Sequence, residues 1–295
     1  MNNPILNRRA FLQGSTLFLL GPAIVAQNSW AELTSAQPKL RIGLLTDLHY
    51  ADKPPAGTRY YRETPGKLEK AVQRLTADKV DFTVEIGDLV DAAPSVEDEL
   101  GYLKAINAQL QKVPGDRHYV LGNHCVQTLT KAEFLGGVAR EKSHYSFAAA
   151  GWHFVVLDAC FRSDGESYGR NNFTWTDANI PADQLKWLET DLKKSEERAI
   201  VFVHQRLDKT KQHSVKNAAT VRKVLESSGK VAAVFQGHSH QNDYQQIGGV
   251  HYCTLAAMVE GSGADNSAFA RLDVLPQGAL KLTGFVKQKS YAWST

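Results

Sequence analysis

The sequence predicts an α/β fold with helices outside a β-sheet, and three observations support this prediction. Apolar runs rich in β-branched residues alternate with segments of helical spacing over most of the chain, and strand-like runs alone follow residue 240. The chain has 295 residues, enough for one large domain or two small ones. Its composition, with 43% hydrophobic and 22% charged residues, is ordinary for a globular protein.

The first half of the chain carries signals for three strands and three helices. The strands are predicted at Leu40–Leu45, Asp81–Ile86 and Arg117–Leu121. Thr64 can cap a helix with Pro65 at its first position, and Ser95 with Asp98 resembles a capping box. A third, short helix is predicted at Lys131–Leu135.

The second half begins with a predicted hairpin, formed by Tyr145–Phe147 and His153–Leu157. The polar, aromatic segment Phe161–Ile180 is a loop, and a loop of that length is usually functional or disordered. Pro181 then opens a helix. The remaining elements are a strand at Ala199–Val203, a helix at Val215–Glu226, and strands at Val231–Phe235, Gln246–Ile247, His251–Leu255, Phe269–Val274 and Leu280–Phe285.

Residues 1–31 have the pattern of a twin-arginine export signal. Arg8 and Arg9 precede the apolar stretch Ser15–Ala26, and Ser29–Ala31 fits a small-residue cleavage site. The apolar stretch is shorter than the ~20 residues of a membrane span. We therefore expect a periplasmic or secreted protein that uses the twin-arginine export machinery and has no stable membrane span.

Charge and cysteine content narrow the function classes further. Beyond residue 31 the chain carries 32 basic and 31 acidic residues, which does not indicate a partner such as a nucleic-acid polymer or a membrane surface. The three cysteines, Cys125, Cys160 and Cys253, allow one disulfide at most, and the sequence does not pair them.

Potential metal ligands follow five of the predicted strands. Ligands bind at the carboxyl ends of strands in sheets of this kind. Mixed carboxylate, imidazole and amide groups suit Mn, Fe, Zn or Co. Eight candidates are too many for one ion, whereas two ions ~3.5–4 Å apart that share a carboxylate would use them. The candidates are Asp47, His49, Asp88, Asn123, His124, His204, His238 and His240.

The motifs DLH, GD, GNH, a lone His and GHSH, in this order, resemble the five motif blocks of the calcineurin-like metallophosphoesterases. The resemblance implies a four-layer αββα sandwich in which helices flank two mixed β-sheets, with the metal site at the strand ends. It spans a catalytic domain at residues 40–290. The long spacing between the motif blocks also resembles a subgroup of this family, which includes class III cyclic-nucleotide phosphodiesterases and manganese-dependent ADP-ribose or CDP-alcohol hydrolases.

The resemblance also implies a role for each candidate. A hydroxide shared by two metal ions would attack phosphorus, and His124 would donate a hydrogen bond or proton to the leaving oxygen. Asp88 would bridge the ions. The first ion would be held by Asp47, His49 and His240, and the second by Asn123, His204 and His238.

Two positions depart from the family pattern. Cys125 stands where an acid usually orients the preceding histidine, and Gln205 with Arg206 stand where a proline is common. Arg206 is a candidate for binding the substrate phosphate. Tyr60 and Arg170 are further candidates, because they lie in loops expected to flank the site.

Other residues in these loops include Arg59 and Trp175. Each of them either contacts the substrate or packs as an ordinary loop residue. Asp91 either supports the ligands or caps a turn. The remaining histidines match no motif block, and we expect structural roles for them: His118, His144, His153, His213 and His251.

Three functions remain open on the sequence alone. The first is a metal-dependent phosphatase or phosphodiesterase that acts on a phosphorylated small molecule. The second is a nucleotide pyrophosphohydrolase with the same metal site. The third is a non-catalytic metal-binding domain of the same fold, although no ligand is missing here.

Overall fold

The computed structural model describes residues 37–170 and 172–294. The predicted export signal at residues 1–31 lies outside these ranges. Within them, twelve strands form two six-stranded sheets, and none of the five α-helices is both long and apolar enough to cross a membrane.

The first sheet has the strand order β12-β11-β10-β1-β2-β3. Its strands are β1 (Leu40–Leu45), β2 (Phe82–Glu85), β3 (Asp116–Tyr119), β10 (Ala268–Val274), β11 (Leu280–Val286) and β12 (Tyr291–Trp293). The pairs β1–β2 and β2–β3 are parallel, whereas β10 pairs antiparallel with β1 and β11. The parallel half therefore brings the carboxyl ends of β1, β2 and β3 to one edge.

The second sheet has the strand order β4-β5-β6-β7-β9-β8. Its strands are β4 (Tyr145–Ala149), β5 (Trp152–Val156), β6 (Arg198–Phe202), β7 (Val231–Gln236), β8 (Asp243–Ile247) and β9 (Val250–Thr254). The four strands β5, β6, β7 and β9 are parallel, and the edge strands β4 and β8 are antiparallel to their neighbours. Both sheets are thus mixed, as predicted.

Helices cover the outer face of each sheet. They are α1 (Thr64–Ala77), α2 (Val96–Leu110), α3 (Lys131–Gly137), α4 (Ala182–Lys194) and α5 (Ala218–Ser227). The helices α1, α2 and α3 share one apolar cluster with the first sheet, and α4 and α5 share another with the second sheet. This arrangement confirms the four-layer sandwich.

Strand alternation explains how the layers meet. Along β6, Ile200 and Phe202 point into a cluster shared by both sheets, while Ala199 and Val201 point into the cluster with α4 and α5. Because successive strand residues face opposite sides, a continuous apolar strand can serve two cores at once. This accounts for the unbroken apolar runs in the sequence.

Some boundaries differ from the predictions for local reasons. Ser95 caps α2 as predicted, because its side chain accepts a hydrogen bond from the Asp98 N–H at 3.1 Å. Thr64 is instead the first residue of α1, and its hydroxyl donates to the Leu48 carbonyl at 2.8 Å. The last strand, β12, was not predicted.

All three cysteines are buried and free of disulfide bonds. The described part of the long loop at 161–180 contains an isolated bridge between Phe161 and Ser167 but no helix or strand.

Candidate metal centre

The candidate ligands gather where the two sheets meet. Asp47, His49, Asp88 and Asn123 follow strands of the first sheet, and His204, His238 and His240 follow strands of the second. All seven residues lie in loops at the carboxyl ends of parallel strands, so both layers contribute to one site.

The backbone at this site is unusual. Five of the candidate ligands have positive φ angles: Asp47 (52°), His49 (46°), Asp88 (58°), His238 (66°) and His240 (61°). A left-handed conformation costs about 1–3 kcal/mol for a residue other than glycine and persists only where its surroundings impose it. These turns redirect the side chains from the strand ends into a common space.

Glycines precede several ligands because there is no room for a side chain. A Cβ atom on Gly122 would lie 2.2 Å from Oδ1 of Asp88, and one on Gly87 would lie 2.5 Å from Nδ1 of His204. Contacts this short do not occur for real Cβ atoms, so both glycines are required by close packing of the ligands.

The first group of ligand atoms is compact. Oδ1 of Asp47 lies 3.6 Å from Nε2 of His49 and 3.3 Å from Nε2 of His240, and the two nitrogens are 3.2 Å apart. Atoms bonded ~2.1 Å from one ion lie about 3.0–3.4 Å apart in tetrahedral or octahedral geometry. The two distances to His240 fall in this range and the Asp47–His49 distance is slightly longer, so the three side chains are close to the spacing of one coordination sphere.

The second group is formed by Asp88, His204 and His238. Oδ2 of Asp88 lies 3.1 Å from Nε2 of His204 and 3.6 Å from Nε2 of His49. A single carboxylate oxygen of Asp88 thus stands between the two groups. Asn123 lines the same cleft, and both of its side-chain polar atoms are buried.

Several of these atoms lack a hydrogen-bond partner. Buried polar atoms in proteins nearly always have one. Four buried oxygens and nitrogens of the ligand groups make no hydrogen bond of acceptable geometry: Asp47 Oδ1, Asn123 Oδ1, His204 Nε2 and His238 Nε2. Unpartnered carboxylate, amide and imidazole atoms in one place fit a pair of transition-metal ions.

In three of the histidines, the ring nitrogen that faces away from the site has a hydrogen-bond partner. Nδ1 of His49 lies 2.9 Å from Asp91, Nδ1 of His240 lies 2.5 Å from Glu260, and Nδ1 of His204 lies 2.8 Å from the Ile86 carbonyl. These partners fix the rings so that Nε2 faces the site, as is common around metal centres. A supporting role was one of two alternatives predicted for Asp91, whereas Glu260 was not predicted.

The carboxylates and histidines shift each other's acidity. Burial opposes ionisation of Asp47 and Asp88, but neighbouring histidines outweigh it and hold the pKa of both carboxyl groups below the ordinary value. Burial likewise opposes the charged form of His204 and His240, yet the carboxylates raise the pKa of each to about 9. The site therefore favours positive charge, which protons or metal ions can supply.

His124 lies beside this cluster. Its backbone N–H donates to Oδ1 of Asp88 at 2.7 Å, and its Nδ1 lies 3.4 Å from Oδ1 of Asp91. Burial raises the pKa of Asp91, but hydrogen bonds and charges from His124 and His49 lower it well below the ordinary value. Cys125, which replaces the usual acid, is fully buried in the apolar cluster with α1 and α2. Asp91 is the carboxylate that contacts His124.

A cleft of about 310 Å³ opens over the ligands. Three further side chains line it: Arg59, Trp175 and His213. Arg59 and Trp175 lie in loops that were expected to flank the site. Trp175 is 41% exposed, and its ring centre lies 5.2 Å from that of His213 and 6.2 Å from that of His238. His213 was expected to be structural because it matches no motif block.

The three predicted substrate residues lie elsewhere. The Arg206 guanidinium is buried and pairs with Asp208 and Asp243, each at 2.6 Å. Arg170 pairs with Glu133 at 2.5 Å. Tyr60 donates its backbone N–H to the Val259 carbonyl at 3.1 Å. None of these side chains is among those that line the cleft, and their contact with substrate stays a prediction.

Other histidines that match no motif block have structural partners. His118 stacks on Phe147 with ring centres 3.7 Å apart, and His153 lies 2.6 Å from Asp191. These contacts agree with the structural roles expected for them.

Comparisons with known proteins agree with this geometry. Residues 40–242 match the family model described as calcineurin-like phosphoesterase. A manganese-dependent ADP-ribose/CDP-alcohol diphosphatase of Arabidopsis thaliana is 23% identical, and the match covers 86% of this chain and 96% of that protein. A protein of the same description from Danio rerio is 24% identical over 76% of this chain and 88% of its own.

The fold also matches a solved structure. The crystal structure of a dimetal phosphatase from Danio rerio superposes with a TM-score of 0.76 at 22% sequence identity. The match covers 88% of this chain and 100% of that one, so the two share the whole sandwich.

Proposed function

Because this chain belongs to the calcineurin-like phosphoesterase family, we propose that it is a diphosphatase that cleaves the phosphoanhydride of nucleoside diphosphate-linked compounds with two manganese ions. Family membership makes it a metal-dependent phosphoric ester hydrolase. The observation that carries the two-ion assignment is the position of Asp88, whose Oδ2 stands between His204 and His49.

In this proposal Asp88 would be a ligand to both ions. The first ion would be held by Asp47, His49 and His240, and the second by Asn123, His204 and His238. Such ions, when bound, would supply a water of lowered pKa and neutralise charge on the phosphoryl oxygens. The unpartnered atoms of Asp47, Asn123, His204 and His238 support this assignment.

His124 is proposed to hold the proton for the leaving oxygen. It lines the cleft, and its Nδ1 faces Asp91, so its Nε2 is the nitrogen available to substrate. The Asp91 carboxylate, 3.4 Å from Nδ1, orients the ring. A positioned acid of this kind contributes about 10²–10⁴-fold to a rate.

The choice of a diphosphate substrate rests on the cleft and on the relatives. Both matched relatives are described as diphosphatases for ADP-ribose and CDP-alcohols. In this chain Arg59 brings a cation to the side of the cleft near Asp91, where a second phosphoryl group can bind it. Trp175 offers an exposed ring on which a nucleobase can stack.

The test is hydrolysis by protein stripped of metal and reloaded with Mn²⁺. ADP-ribose and CDP-choline represent the proposed class, AMP represents monoesters, and bis-p-nitrophenyl phosphate represents simple diesters. We expect the diphosphates to have the highest kcat/KM. Replacing Asp88 by Asn should abolish all hydrolysis and the binding of the second Mn²⁺ equivalent. Undiminished turnover by that variant would contradict the mechanism.

We also propose that the protein is exported in folded form to the periplasm or beyond. The support is the sequence of residues 1–31, with Arg8 and Arg9 before an apolar stretch. Replacing both arginines by lysine should retain the protein in the cytoplasmic fraction of a bacterium with a twin-arginine pathway. Unchanged export would refute the proposal.

A further inference from the structure

A fully buried lysine lies close to the metal centre. Lys67, on the first turns of α1, has no exposed surface. Its Nζ lies 2.6–3.1 Å from the carbonyl oxygens of four successive residues, Met258, Val259, Glu260 and Gly261. An ammonium has three N–H donors, so it shares at least one of them among these acceptors.

The ammonium compensates an arrangement that the backbone would otherwise avoid. Four carbonyl dipoles point their negative ends at one buried place, which is costly without a positive charge. Burial lowers the pKa of Lys67 to about 8, so the group still carries its proton at neutral pH.

The same segment is bonded to the loop that carries the first ligand group. The N–H groups of Met258 and Val259 donate to the carbonyls of Thr46 and Asp47 at 3.2 and 3.1 Å. Segment 258–261 is therefore held by Lys67 and by the loop after β1. It is also bonded to residues 58–60, because Tyr60 donates its N–H to Val259 and Gly261 donates its N–H to Thr58.

Glu260 links this segment to the metal centre. Its Oε1 lies 2.5 Å from Nδ1 of His240, whose Nε2 lies 3.3 Å from Asp47. The position of the Glu260 backbone thus sets the direction of the His240 ring.

We propose that Lys67 is a positioning residue for the first metal site, where its ammonium fixes segment 258–261 and so holds Glu260 against His240. The inference rests on the proposed role of His240 as a metal ligand. In this inference the contact between Lys67 and the four carbonyl oxygens supports metal binding as well as folding.

The test compares Lys67→Met with wild type in Mn²⁺ titrations of metal-free protein by calorimetry. Loss of a group that supports a ligand typically weakens metal binding about 10–100-fold, and we expect about tenfold at one of two sites. Hydrogen exchange of residues 256–262 should also become faster. Wild-type Mn²⁺ affinity in folded Lys67→Met protein would overturn the inference.

Lys230 provides a matched control. Its Nζ also contacts three backbone carbonyls, those of Leu192, Lys193 and Ser195, at the end of α4. These residues do not line the metal cleft. The Lys230→Met variant should therefore lose stability but keep wild-type Mn²⁺ affinity. An equal loss of affinity in both variants would mean that general destabilisation, and not Glu260, is the cause.

A double-mutant cycle tests the route through Glu260. If Lys67 acts through that carboxylate, Lys67→Met combined with Glu260→Gln should bind Mn²⁺ no more weakly than the weaker single variant. Additive losses would refute the route. If Lys67→Met does not fold, Lys67→Arg keeps the charge, but a planar guanidinium cannot meet four carbonyls at one point.

The Lys67→Arg variant should weaken Mn²⁺ binding in the same direction, and wild-type affinity in it would again overturn the inference. Two bound Mn²⁺ in wild type with no effect of these variants would refute this inference alone. Absence of Mn²⁺ binding by wild type would refute the proposed function as well.

Discussion

Replacing Arg59 by Leu is the sharpest test of substrate selection. The Arg59 side chain is 34% exposed, and its Nη1 lies 4.0 Å from Oδ2 of Asp91. A hydrogen bond to a charged group contributes about 1.5–3 kcal/mol. Because a third of the side chain is in solvent, we take the lower value, ~1.5 kcal/mol, which corresponds to about a tenfold loss in kcat/KM for a diphosphate.

The assay measures kcat/KM for ADP-ribose and for bis-p-nitrophenyl phosphate with Mn²⁺. The diester has no second phosphoryl group, so the loss should be confined to ADP-ribose. Arg62→Leu is the control, because Arg62 is 56% exposed, pairs with Asp52 and does not line the cleft. An equal loss with both substrates would show that Arg59 acts through Asp91 and His124, and would refute the reasoning.

Three further predictions concern the metal centre and the cleft. At pH 7 Mn²⁺ must displace protons from His204 and His240, whose pKa values are about 9, so the affinity for Mn²⁺ should rise between pH 6 and pH 9. Calorimetry in buffers of different ionisation enthalpy should detect the released protons, and an affinity that does not change with pH would contradict this prediction. Gly122→Ala should displace Asp88 and cost at least one Mn²⁺ equivalent by metal analysis, whereas Gly136→Ala, which has open space, should not. Trp175→Ala should raise KM for ADP-ribose about fivefold, from the loss of ~1 kcal/mol of stacking, and leave the diester unchanged.

Most of the fold was predictable because its signals are local. Five of the parallel strands, β1, β2, β3, β6 and β7, lead directly into a ligand motif, and Ser95 marks the start of α2 by its capping hydrogen bond. The strand β12 was missed because three residues carry little periodicity. It forms because Tyr291 and Trp293 pair with Leu282 and Leu280 on β11.

The clustering of the candidate ligands was predictable for the same reason, whereas the contacts of the residues around them were not. Arg206 was expected at the substrate because it lies two residues after His204, but Asp208 and Asp243 bind its guanidinium. Glu260 supports His240 from twenty residues further along the chain. Pairings of this kind depend on how separate segments pack, and no pattern in one segment contains that information.

The origin of the ligands in both sheets has a mechanical consequence. A cation bound by both the Asp88 loop and the His204 loop would link the two inner layers. Neither layer could then unfold alone without releasing the ion, so saturating metal should merge the melting of the two halves into one transition. Chelation would remove this link, and the sheets would then be joined by the apolar surface between them and by hydrogen bonds such as that from Nδ1 of His204 to the Ile86 carbonyl.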